Sequence, residues 1–248
     1  MRAYFLLVMC IAVVTAAVFT SGVPAQDETP PGQQQKLDKA EFESQFPLTD
    51  KNKPEPADPQ VRAKRRAVGE KYNNAIQPVD ERADTVVLGS HWASGLPALP
   101  VSQSQAIIVG EVTGAEAHLS NDQTGVYSEF TIRAVEVLKN DAAHPLTDGS
   151  MVVAERAGGR VRFPSGRVVL VFAVGQHMPR PGRRYVLFLK QGADDINPEI
   201  LTGYELKNAV IEPLDNPSET HPILKYKGAK SDLFLADLRA AIAGTSIN

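Results

Sequence analysis

From Thr85 to Pro213 the chain is a succession of short β-branched runs cut by turn residues, with no long amphipathic helix between them. Ala106–Val112 is the first strong run, Asn121–Gly125 is a turn, and Tyr127–Leu138 is the longest run. Met151–Ala154, Arg160–Phe163, Arg167–Ala173, Arg184–Lys190, Leu201–Leu206 and Ala209–Pro213 follow, with Gly158-Gly159, Pro164-Ser165-Gly166 and Arg180-Pro181-Gly182 at their corners. Many short strands at hairpin spacing predict an all-β fold, an antiparallel barrel or sandwich. Within the longest run, Phe130, Ile132 and Ala134 alternate with Glu129, Thr131 and Arg133, and the inward set then shifts to Val135 and Val137. That one-residue change of phase predicts a β-bulge, which would help a sheet curl towards closure.

The ends of this region carry different patterns. Ser231 and Asp232 open a C-terminal helix, Phe234, Leu238 and Ile242 give it one apolar face, and Gly244 is placed to end it. That face should dock on the β domain, which spans residues 85–245. Upstream, Asp58 can cap a helix with Pro59 at its first position. Its stripe of Val61, Ala67 and Val68 is thin, so residues 58–75 read as a surface helix. Residues 26–57 are rich in Pro, Gln and charge and poor in aromatics, the composition of a disordered linker.

Residues 1–25 have the form of an export signal: Arg2, an apolar run from Tyr4 to Phe19, and small residues before a cut after Ala25. The alternative is an uncleaved anchor, with Arg2 on the inner side. Either reading puts the remainder in the periplasm or outside the cell. Cys10 is the only cysteine and lies in this segment, so the exported part would have neither disulfides nor thiolate chemistry. Loss of Arg2 moves the formal charge from −3 to −4, which offers nothing to nucleic acid, and no membrane contact is expected beyond a possible N-terminal anchor. The cluster Arg62, Lys64, Arg65, Arg66 is the local exception and reads as a solvated helix face.

Four segments carry a resemblance, the last of them Tyr204-Glu205-Leu206. Ile108-Val109-Gly110-Glu111-Val112, then Tyr127–Ile132 leading into Val137-Leu138-Lys139-Asn140, then Gly182–Leu189, then this last segment, resemble in order the strands of netrin-type and metalloproteinase-inhibitor-type modules. The likeness spans Ala106–Leu206 and implies a single OB-like barrel. Inhibitors of that group use an N-terminal cysteine and disulfides, which this chain lacks, so no inhibitory residue carries over. The whole chain is also similar to exported bacterial proteins with one such domain.

No catalytic motif emerges. His91, His118, His144, His177 and His221 have no metal-ligand spacing, and neither Ser94-Gly95 nor Ser165-Gly166 forms a nucleophile elbow. Carboxylates for glycoside chemistry could come from Glu111, Asp122, Glu129 and Glu136, but no spacing singles out a pair. Two surfaces offer contact chemistry. The loop around Asn121 and Asp122, with Tyr127, is either a contact region or a solvated hairpin. Arg160, Arg162, Arg180, Arg183 and Arg184, with Tyr185, form either a basic patch for an anionic glycan or acidic protein, or a set of charged edge residues. The sequence therefore points to a binding module without cofactor or metal, its partner a protein or glycan of the cell envelope. The alternative is a hydrolase whose acids meet only in three dimensions.

Overall fold

The computed structural model describes residues 39–73, 78–88, 91–192 and 195–245. The signal segment and the first part of the linker lie outside these residues. After a helical turn over residues 39–44, the elements run β1 (Leu48–Asp50), α1 (Pro59–Lys71), β2 (Thr85–Leu88), β3 (Ala106–Leu119), β4 (Val126–Lys139) and β5 (Met151–Ala157). They continue with β6 (Gly159–Arg162), β7 (Val168–Ala173), β8 (Arg184–Gln191), β9 (Pro198–Lys207), β10 (Val210–Pro213) and α2 (Ser231–Thr245). Among the described residues no helix is long and apolar enough to cross a membrane.

The protein is mostly β, in two sheets rather than the one expected. The larger has the order β10-β9-β5-β4-β3-β8, and β8 also pairs with β9. The smaller has the order β1-β6-β7-β2. Most ladders are antiparallel as expected, but β1–β6, β2–β7 and the short β5–β9 contact are parallel. The strands β7 and β8, expected to flank one turn, sit in different sheets. The expected β9–β10 hairpin forms with its turn one residue later, at Asn208-Ala209 rather than Lys207-Asn208, and both turn residues have positive φ, which matches the twist of the flanking strands. The bulge in β4 is also present: Val109 pairs with Glu136 and Gly110 with Ala134, which leaves Val135 unmatched. Val137 returns to the core as expected, whereas the bulged Val135 itself is exposed.

Three apolar clusters hold this together. Ile108, Phe130, Ile132, Ala154 and Leu187 meet in the first. The opposite face of β3, β8 and β9, carrying Ile107, Val109, Phe188 and Tyr204, is covered by Phe234 and Leu238 of α2 and by the strap of Leu96 and Val101. The α2 helix thus docks through the face read from its spacing, although Ser231 lies inside the helix and its hydroxyl donates to Ala209 O. Val126, Val161, Val169 and Val171 join the two sheets in the third cluster.

Residues 39–57 are not the disordered linker their composition suggested. Phe46 is fully buried, with Phe42 5.2 Å away and edge-on to it, and both rings pack against Phe172. β1 then pairs with β6 and covers what would otherwise be that strand's open edge. Averaged composition hid two aromatics that are enough to anchor the segment.

Candidate binding cleft

Asp58 caps α1 as expected, its carboxylate accepting from the amides of Gln60 and Val61 at 2.7 and 3.2 Å. The helix thereby delivers its last turn onto the outer face of β4 and β5. Tyr72 stacks on Tyr127 with ring centres 4.8 Å apart and 10° between planes. Glu129 and Glu155 stand opposite each other across the β4–β5 ladder, and Lys71 Nζ lies 2.6 Å from Glu155 Oε1. His118 Nε2 is 3.3 Å from Glu129 Oε2, close enough for an ion pair but not aligned for a hydrogen bond. Asn197 donates to the other oxygen of Glu129 at 3.4 Å.

Burial pushes the Glu155 carboxyl above the usual range despite the neighbouring Lys71. Glu129 is also raised by burial, but His118, Arg65 and Lys64 outweigh this and hold it below its ordinary value. Burial pushes both Tyr72 and Tyr127 far up, so both phenols are neutral hydrogen-bonding groups. Two adjacent carboxyls displaced in opposite directions could share acid and base work. The last turn of α1 covers them, however, and only 2% of the Glu155 side chain is exposed.

Beside this covered cluster the same face opens into a cleft of about 310 Å³. One wall is the loop after β4, where Asn140 and Leu146 exchange two hydrogen bonds of 2.8 Å. The other wall is the segment 195–198 that leads into β9, and Lys64 of α1 stands at the rim. The lining is largely apolar, with Leu146, Met151, Val153 and Ile196, and Met151 is 55% exposed. Because the consecutive residues Met151, Val152 and Val153 all line it, the strand's edge borders the cleft as well as its face. Among the described residues that edge is open: β5 pairs with β4 over its whole length but with β9 only at Glu155↔Glu199.

His144 spans the mouth, with Nδ1 3.3 Å from Asp141 Oδ2 on one wall and Nε2 3.0 Å from Asp195 Oδ2 on the other. These two carboxylates raise the pKa of the imidazole, the Asp141 hydrogen bond most. Only an imidazolium can donate to both at once.

The residues expected to form a contact surface fall in several places. Arg160 donates to Phe46 O and Arg162 to Asp50, both holding β1 to β6. Arg180 lies 3.8 Å from Glu41, and Arg183 makes two contacts of 2.8 and 3.0 Å with Glu205. Arg184 is exposed on the rim of a separate shallow depression beside α2. Tyr185 is buried, its oxygen accepting from the Arg180 amide, and burial pushes its phenol up to about 12. Asn121 donates to Arg66 O and Asp122 accepts from Ser120 and Thr124, so that loop is bound to α1 and to itself. Tyr127 is fully buried under Tyr72. The arginines therefore work mainly within the fold. Lys64, Asp141, His144, Met151 and Asp195 were missed because they come from four chain segments and share no motif.

Among the described residues no three His, Cys, Asp or Glu side chains gather as metal ligands. No protein-family model matches the chain, and neither does any curated protein or solved structure.

Proposed function

We propose that this chain is an exported, non-enzymatic binding module that captures an extended peptide segment of an envelope or extracellular protein along the free edge of β5. The open edge of Met151–Val153, bordering an apolar cleft, carries the reading. Such an edge gives a peptide backbone its hydrogen-bond partners, and the neighbouring pocket selects one apolar side chain. The scaffold is an OB-like barrel. The cyclic pairing of β3, β4, β5, β9 and β8 supports this, as does the cleft's position, since OB barrels bind through their second and third strands and the adjoining loops. Export rests on residues 1–25, and the processed protein begins at Gln26.

A hydrolase is the second reading, favoured by the opposed shifts of Glu129 and Glu155. It ranks lower because α1 would have to leave before a substrate could reach Glu155. Selection of displayed peptides on the processed chain tests the proposal. Peptides with one large apolar residue in an extended context should be enriched, and Met151→Arg should weaken them at least about tenfold, a loss of about 1.4 kcal/mol. Equal binding by the variant refutes the site, and an N-terminus other than Gln26 refutes the proposed cut.

A further inference from the structure

On the other side of α1 lies a second cleft, of about 190 Å³, between that helix, the β1 turn and the loop after β3. Its lining brings together Lys51, Lys53, Arg62, Arg65 and Arg66 against the carboxylates of Asp50 and Glu55. The cationic helix face that the sequence suggested was merely solvated is thus one wall of a concave site. Asp50 is already engaged by Arg162 at 2.7 Å from outside the cleft. Glu55 lies 2.8 Å from Arg66 Nη2 and 4.0 Å from Arg62 Nε, and Lys53 reaches out to Glu116 at 3.3 Å. Arg65 and Lys51 remain, the Lys51 ammonium lying 5.7 Å from the centre of the Phe163 ring, outside the cleft. Among the described residues neither Lys51 nor Arg65 has a carboxylate within ion-pair distance, although the charge of Arg65 is felt at Glu129.

His118, 3% exposed, also lines the cleft, with Nε2 3.3 Å from Glu129 Oε2 and 4.0 Å from Glu116 Oε2. Arg66 grips the Glu55 carboxylate through Nε and Nη2, so the helix face already holds an oxyanion in the fork geometry of a guanidinium group.

We propose that this cleft binds one tetrahedral oxyanion, phosphate or sulfate, either free or as a monoester, with Arg65 and Lys51 as its principal ligands. A dianion matches the excess of cations better than a single carboxylate does. The volume admits one such group with a small substituent. This site is separate from the peptide cleft and stands or falls without it.

Titration calorimetry of the processed chain at low salt, with inorganic phosphate, sulfate and acetate in turn, decides the matter. Both dianions should bind once per chain, acetate at least about tenfold more weakly, and raised salt should weaken all three. Glycerol phosphate binding as well as inorganic phosphate would assign the site to monoesters, and weaker binding would assign it to the free anion. Arg65→Gln and Lys51→Gln should each lower dianion affinity at least about tenfold, the scale of one lost charge-assisted contact. Arg184→Gln should change nothing. Lack of saturable one-to-one binding, or binding that both ligand variants leave intact, overturns the proposal.

Discussion

Asp215→Asn tests the buried contact that ties β5 to β9 beneath the open edge. Arg156 and Asp215 are both fully buried. The carboxylate accepts from Arg156 Nη1 and Nη2 at 2.9 and 2.7 Å, from the His177 amide at 2.9 Å and from Thr202 Oγ1 at 2.8 Å. Arg156 also donates to Leu201 O and His177 O, so one side chain on β5 holds β9 and the segment after β7. Its Nε has no hydrogen-bond partner, and Asp215 is the one carboxylate in ion-pair contact with it among the described residues. An amide at position 215 keeps the shape, but it turns one acceptor into a donor and strands the guanidinium in the core. Removing one partner of a buried pair costs about 3–5 kcal/mol. At about 2–4 °C per kcal/mol for a domain of this size, Tm should fall by about 6–20 °C.

Trp92, the only tryptophan, lies over the Arg156 guanidinium at 5.1 Å, so its fluorescence reports urea unfolding at this very point. The double change Arg156→Met with Asp215→Leu should recover most of the loss, because an apolar pair leaves no charge stranded. A loss below about 1 kcal/mol for Asp215→Asn, or additive losses in the double variant, would refute this reasoning.

Phe46→Ala should cost about 3–5 kcal/mol, and limited proteolysis should then cut residues 39–57 well before the sheets, since the anchor of that segment is gone. The two carboxylates at the cleft mouth raise the pKa of His144, so the His144 clamp stabilises the fold fully below its unfolded value. That contribution is lost as pH rises through the elevated folded value. An NMR titration of the imidazole should show the elevated value, and Asp195→Asn should bring it back towards normal. Glu155→Gln should weaken the hold of Lys71 on β5 and increase amide exchange in the last turn of α1 more than in its first.

The sequence made the local elements visible and left their partnerships obscure. The alternation of Phe130 and Ile132 with Glu129 and Thr131 marked β4 and its bulge, because a pleated strand imposes a period of two. Phe234 and Leu238 marked the face of α2 for the analogous helical reason. The smaller sheet was hidden, since β1 has only three residues and forms through pairing with β6 rather than through its own propensity. Surface and interior arginines look alike in a sequence, so Arg160 and Arg183 read as a patch although each is committed to an internal partner. The cleft was invisible for a further reason. Its defining property, the open side of β5, is an unmade pairing with β9, and only the three-dimensional register reveals it.

Amide hydrogen exchange of the chain from Gln26 onward, with and without a selected peptide, is the most direct test of strand addition at β5. The account predicts new protection among residues 151–154, confined to the amides that face away from β4, with little change on β8 or β10. Protection elsewhere, or none on β5 at a peptide concentration that saturates binding, would contradict it.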